Sequence, residues 1–221
     1  VGLGAGIFIF GGATFQQIGL IFTTAGKAGF VTGLYVVFVP ILGTLWGDHS
    51  PVETWLGAGL AAVGLYFLSV NQQLQLAPGD GYVLLGALFW AGHVQFIANI
   101  ARNSDPIRIS FVQSVVTAVL SFLVGFLIEE TTWDMVQGAI LPILYGGVIS
   151  IGIAYTLQIV AQKTARPAQV VILLSMEAVF AVLWGWIFLG ETLGERSIIG
   201  AALMLTGMIL SQIRIPGRLN P

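Results

Sequence analysis

Glu177 is the one charged residue of this 221-residue chain that stands inside a long apolar run. The other 17 of its 18 charged side chains fall in short gaps between such runs. A carboxyl group in that setting can exchange a proton or hold a cationic group. Membrane-embedded ionisable residues usually face a bundle interior or a water-filled cavity, because a charge in hydrocarbon is costly. The helical face that carries Glu177 continues through Leu173 and Leu174 on one side and Phe180, Ala181 and Trp184 on the other. A second reading stays open, in which a neutral glutamic acid hydrogen-bonds a neighbouring helix and fixes packing.

Two further constellations have helical spacing. Trp90 and His93 are three residues apart and share a face. Gln95 and Asn99 lie on a different one, since a two-residue step turns a helix by about 200°. An indole beside an imidazole suits an organic solute through stacking and hydrogen bonding; a packing histidine bonded to a backbone carbonyl is the alternative. Gly152, Tyr155, Gln158 and Gln162 form a polar stripe. That stripe either lines a solute pathway or acts as interhelical glue worth about 0.6 kcal/mol per contact. The expected solute-binding residues are therefore Trp90, His93, Tyr155, Gln158, Glu177 and Trp184.

Enzyme chemistry has no comparable signature. The chain lacks H-E-x-x-H, G-x-S-x-G and a G-x-x-x-x-G-K-[ST] phosphate loop. Cysteine is absent and the only histidines are His49 and His93. No catalytic residue, metal or cofactor is expected, and any uphill work must draw on a gradient. Basic residues are sparse and scattered, which excludes a nucleic-acid partner.

The elements that must position these residues follow from the charge gaps. Uncharged stretches span 1–26, 28–47, 54–79, 81–101, 109–128, 135–162, 167–190 (broken only by Glu177) and 197–213. A membrane helix needs about 20 mostly apolar residues, so the chain reads as an all-α, polytopic bundle of eight transmembrane helices. Composition agrees: 57% hydrophobic and only 8% charged, against roughly 25% charged in a soluble domain. Mean hydropathy is +0.94. The 29 glycines fit membrane helices that pack through small residues. No cleavable signal segment is visible. Trp46, Trp55, Tyr82 and Trp133 sit near span ends as interfacial anchors, and Glu191, just past the seventh span, reads as structural.

With eight spans both termini share a side. If that side is cytoplasmic, it holds Arg102, Arg108, Lys163, Arg166, Arg214 and Arg218, while only Lys27 and Arg196 lie opposite. The positive-inside rule selects this orientation.

Spans 1–3 resemble spans 6–8. Thr24–Ala28 lines up with Thr164–Ala168 at an offset of 140, and Gly57 and Gly64 meet Gly200 and Gly207 at 143. The first span would run outward and the sixth inward, making the units inverted copies, a common transporter architecture. Gln16 and Gln17 occupy the stretch of the first span that matches the polar stripe. The expected organisation is a three-helix first repeat over 1–76, a five-helix second repeat over 77–214 and a cytoplasmic tail over 215–221. The first repeat lacks partners for two helices of the second, so an N-terminally shortened chain is expected. A natural eight-helix variant is the competing reading.

The stretch Ser175-Met176-Glu177-Ala178-Val179-Phe180-Ala181, followed by Leu189-Gly190-Glu191-Thr192-Leu193, Gly200 and Gly207, resembles the end of an EamA-type domain of the drug/metabolite transporter superfamily. Phe38-Val39-Pro40 is similar to the matching part of a first domain. Two departures stand out: Ala178 replaces the usual proline, and Trp46-Gly47-Asp48-His49 replaces the first-domain Leu-Gly-Glu element. The resemblance implies helices 3–10 of a ten-helix fold. It also implies secondary transport of a small organic metabolite such as an amino acid, often its export, by alternating access across the plasma membrane (the bacterial inner membrane). The partners expected are a small-molecule substrate, the lipid bilayer, and either a second copy in a homodimer or the missing N-terminal helices. A non-transporting scaffold or partner subunit is the alternative function.

Overall fold

The computed structural model describes residues 1–48, 50–69, 77–100, 103–189 and 194–212. His49, Arg102, Glu191, Arg214 and Arg218, and the limits drawn at 76 and 214, lie outside the described residues. Within them the chain is helical, without strands. The helices are α1 (Gly2–Phe22), α2 (Ala25–Gly33), α3 (Tyr35–Leu45), α4 (Val52–Ser69), α5 (Pro78–Ile100) and α6 (Pro106–Ile128). Then come α7 (Trp133–Gly138), α8 (Ile140–Leu144), a π-helical stretch (Tyr145–Ala154), α9 (Tyr155–Gln162), α10 (Pro167–Leu174), α11 (Met176–Leu189) and α12 (Glu195–Gln212).

Six stretches are long and apolar enough to cross a membrane: Gly2–Leu20, Lys27–Leu45, Pro78–Ile100, Pro106–Ile128, Ile140–Gln162 and Pro167–Phe188. The other two expected spans correspond to α4 and α12, each of 18 residues. At 1.5 Å per residue each is about 27 Å long, just short of the hydrocarbon core.

Three of the expected continuous spans are broken. The second breaks at Leu34, whose N–H reaches back to Phe30 and Val31 carbonyls. The seventh breaks at Ser175, whose hydroxyl donates to the Ile172 carbonyl at 2.7 Å, a back-bond that bends helices. The sixth changes pitch over Tyr145–Ala154, beginning at Gly146-Gly147, and π-helical turns of this kind recur at functional sites.

Packing is closest where glycines meet. A Cβ on Gly57 would stand 2.6 Å from the Gly207 carbonyl oxygen, and one on Gly207 equally close to that of Gly57. Gly64 and Gly200 repeat the arrangement at 2.6 and 2.8 Å. The α4–α12 crossing is thus two reciprocal backbone contacts. α1 lies along α5 in the same way, and Gly12 leaves the room that the Trp90 indole fills. Between these pairs sits an apolar core that includes Val36, Val39, Ala61, Val171, Ile172 and Met204.

The two ends of the bundle differ. At one, Asp80 opens α5 and binds Lys27 Nζ at 2.7 Å, the Thr23 hydroxyl at 2.6 Å and the Ala77 N–H at 2.8 Å. At the other, Asp48, Lys163 and Arg166 line a common cleft with no ion pair joining them among the described residues.

Candidate functional site

Helix α5 places Trp90 and His93 at mid-length, on the face that the sequence spacing predicts. α9 begins at Tyr155, immediately after the π-helical stretch, and carries Gln158 one turn on. The break at Ser175 sets Glu177 in the first turn of α11. These five side chains line one cavity of about 380 Å³, joined by Gln16 of α1, Thr32 of α2, Tyr35 of α3 and Ser150 of the π-helical stretch. The volume suits a small organic molecule.

An aromatic corner forms its floor. The Trp90 and Tyr155 rings stack at 6.1 Å with 25° between planes, and His93 meets Tyr155 edge-on. His93 is fully buried, and its Nε2 donates to Gln113 Oε1 at 3.1 Å. Gln113, on α6, is itself wholly buried. That bond puts the ring proton on Nε2 and leaves Nδ1 an acceptor without a partner. The alternative partner considered for His93, a backbone carbonyl, is replaced by a side chain that no helical spacing within α5 reveals.

Glu177 is exposed to the cavity, and among the described residues nothing hydrogen-bonds its carboxyl group. Among the described residues no Lys or Arg lines the cavity, and its carboxylic acid faces hydroxyl, amide and aromatic groups.

Trp184 is placed elsewhere. It shares the face of Glu177 but lies seven residues on, about 10 Å along the helix, beyond the cavity lining. It is half exposed and rests on Phe188 at 5.2 Å between ring centroids. The polar stripe also divides. Tyr155 and Gln158 face the cavity, whereas Gln162 is buried one turn on and donates to the Val94 carbonyl at 3.0 Å. Gln95 donates to the Val39 carbonyl at 2.7 Å, tying α5 to α3. Gln162 and Gln95 thus seal the bundle between the cavity and the Arg166 end. Tyr35 was not singled out from sequence. Its signal is a tyrosine in mid-span, far from the interfaces where membrane tyrosines concentrate.

The EamA-like transporter family matches residues 77–212, most of the chain. The chain belongs to that family. An uncharacterized transporter of Archaeoglobus fulgidus is 34% identical over 216 residues, covering 97% of this chain and 69% of the relative. The threonine/homoserine exporter RhtA of Salmonella typhimurium is 27% identical over 181 residues, covering 80% of this chain and 60% of the exporter. A solved crystal structure of a protein superposes with a TM-score of 0.82 at 21% identity, covering 96% of this chain and 75% of that one, which shows a shared fold. With its six long apolar helices, this EamA-like chain is a multi-pass membrane protein.

Proposed function

We propose that this EamA-like chain moves a small amine-bearing metabolite, such as an amino acid, across the plasma membrane by alternating access, driven by a gradient, and that it works as an exporter. The observation that carries this reading is the cavity at mid-span. Spans from both halves of the chain converge there, and its acid, Glu177, has no hydrogen-bond partner among the described residues. Such an acid suits an ammonium group, while the Gln158 amide and the Tyr155 hydroxyl can donate to a carboxylate. The exporter RhtA among the relatives supports amino acids as the class and export as the direction.

Two geometric features support an inverted repeat of eight spans. The breaks at Leu34 and Ser175 differ by 141 positions, close to the sequence offset of 140. Under the offset of 143, the contact Gly57–Gly207 maps onto Gly200–Gly64, its own reciprocal. In the orientation favoured by basic residues, both termini and the Arg166 end are cytoplasmic. The Gln95 and Gln162 bonds then close the cavity toward the cytoplasm, and the structure is outward-facing.

Flux of labelled threonine and homoserine in reconstituted vesicles tests the reading. Wild type is expected to give saturable flux, and Glu177→Gln to reduce it roughly tenfold or more, the scale of a lost charged hydrogen bond, with unchanged melting. Full flux in Glu177→Gln would sink the assignment. The chain has no cysteine of its own, so single cysteines report topology cleanly. Those at Asn103 and Glu130 should be labelled from opposite faces; labelling from one face would end the eight-span arrangement.

A further inference from the structure

A second cavity, of about 470 Å³, adjoins the first. The two share Tyr35 and Glu177 as a common wall. The second is otherwise unlike the first. Apart from Ser175, its lining is apolar or small: Gly29 and Gly33 of α2, Leu65 and Leu68 of α4, Ala178 and Val182 of α11. Gly33 is there because a side chain has no room: a Cβ would lie 2.6 Å from Leu65 Cδ1. Gly29, one turn earlier, is exposed, and a Cβ there would meet nothing within 4 Å. The missing side chain at Gly29 therefore leaves open space and is not demanded by packing.

We propose that this apolar crevice is a side-chain subsite, so that the solute is amphiphilic, with an ammonium group at Glu177 and an unbranched apolar arm laid along Gly29 toward Leu65 and Val182. The inference rests on the transport reading above and narrows it, from any small amine to one whose apolar arm is bound. The geometry supports this occupant in two ways. The crevice begins at the acid that would hold the head group, so one molecule reaches both. Among the described residues no cation pairs with the acid, leaving its charge to be matched by whatever occupies the crevice mouth.

The test is equilibrium binding of unbranched 2-amino acids, with side chains of two to five carbons, to the full chain in lipid nanodiscs. In wild type each added carbon is expected to tighten binding, by roughly fourfold at most, the transfer value of a fully buried methylene. Gly29→Phe fills the crevice, so the gain per carbon should disappear, and Gly29→Ala should reduce it part-way. Glu177→Gln should weaken every member of the series by a similar factor while keeping the gain per carbon. Binding that ignores chain length in wild type, or a gain per carbon that survives Gly29→Phe, overturns the subsite and leaves the crevice to a lipid chain. In that event loss of binding in Glu177→Gln still upholds the transport reading. No binding by any member, with or without Glu177, overturns both.

Discussion

Two walls of the same cavity are built in opposite ways. α5, which carries Trp90 and His93, buries ten of its residues and is wedged along α1 at glycine contacts. The wall that carries Ser150 and Tyr155 begins with α7, α8 and the π-helical stretch, in which no residue is buried. The far half of α6 is as open, with Phe126 90% exposed. In a bilayer such surface faces lipid or further helices, and lipid, as apolar as the side chains, supplies no drive toward association. Helices held by close backbone contact are costly to separate, and helices without it have less contact to lose. The cavity therefore has a closely packed wall and a loosely packed one, and the π-helical turns sit where the loosely packed wall meets the cavity-facing residues.

Substitutions that probe each wall should separate them. The largest effect is expected at the seams. Gly207→Leu drives a side chain into the Gly57 carbonyl and should destabilise by about 3 kcal/mol or more, the upper range for overpacking, or prevent assembly. The same change at Gly146, where a Cβ meets nothing within 4 Å, should leave the stability within about 0.5 kcal/mol of wild type. Equal destabilisation at the two positions, read by thermal unfolding in detergent, would erase the distinction.

A smaller effect is expected at the polar seal. Gln95→Ala removes the bond to Val39 and Gln162→Ala the bond to Val94, each worth about 0.6 kcal/mol and at most about 1.7 kcal/mol inside a membrane protein. Their consequence should be conformational. Loosening the seal should let a maleimide added from the Arg166 side reach a cysteine at Ser150 inside the cavity, with little change in melting. Unaltered labelling in the double variant would show that the seal does not hold that end shut.

The parts that were legible in the sequence are those written as charge or spacing along one helix. The exceptional position of Glu177, the shared face of Trp90 and His93 and the step from Tyr155 to Gln158 each follow from a single span, and the cavity brings them together. Relations between spans were not legible. Gln113 partners His93 from another helix, and Tyr35 reaches the cavity because its span breaks just before it. Trp184 shows a different limit: periodicity fixes the face of a helix but not the depth at which the cavity stops. The six long helices were readable from apolar length, whereas the breaks at Leu34 and Ser175 interrupt runs whose composition does not change. The π-helical stretch was hidden for a related reason, since Gly146-Gly147 looks like any small-residue packing site.

The most direct test of a solute-binding cavity uses the absence of native cysteine. A cysteine at Ser150, on the loosely packed wall and inside the cavity, should react with a membrane-impermeant maleimide, and saturating amino-acid solute should slow that reaction. A cysteine at Glu130, exposed between α6 and α7 and away from the cavity, should show no such protection. Protection at Ser150 that vanishes in Glu177→Gln is the predicted result. A Ser150 cysteine whose reaction rate no amine-bearing solute alters, in a chain that still melts like wild type, would contradict it.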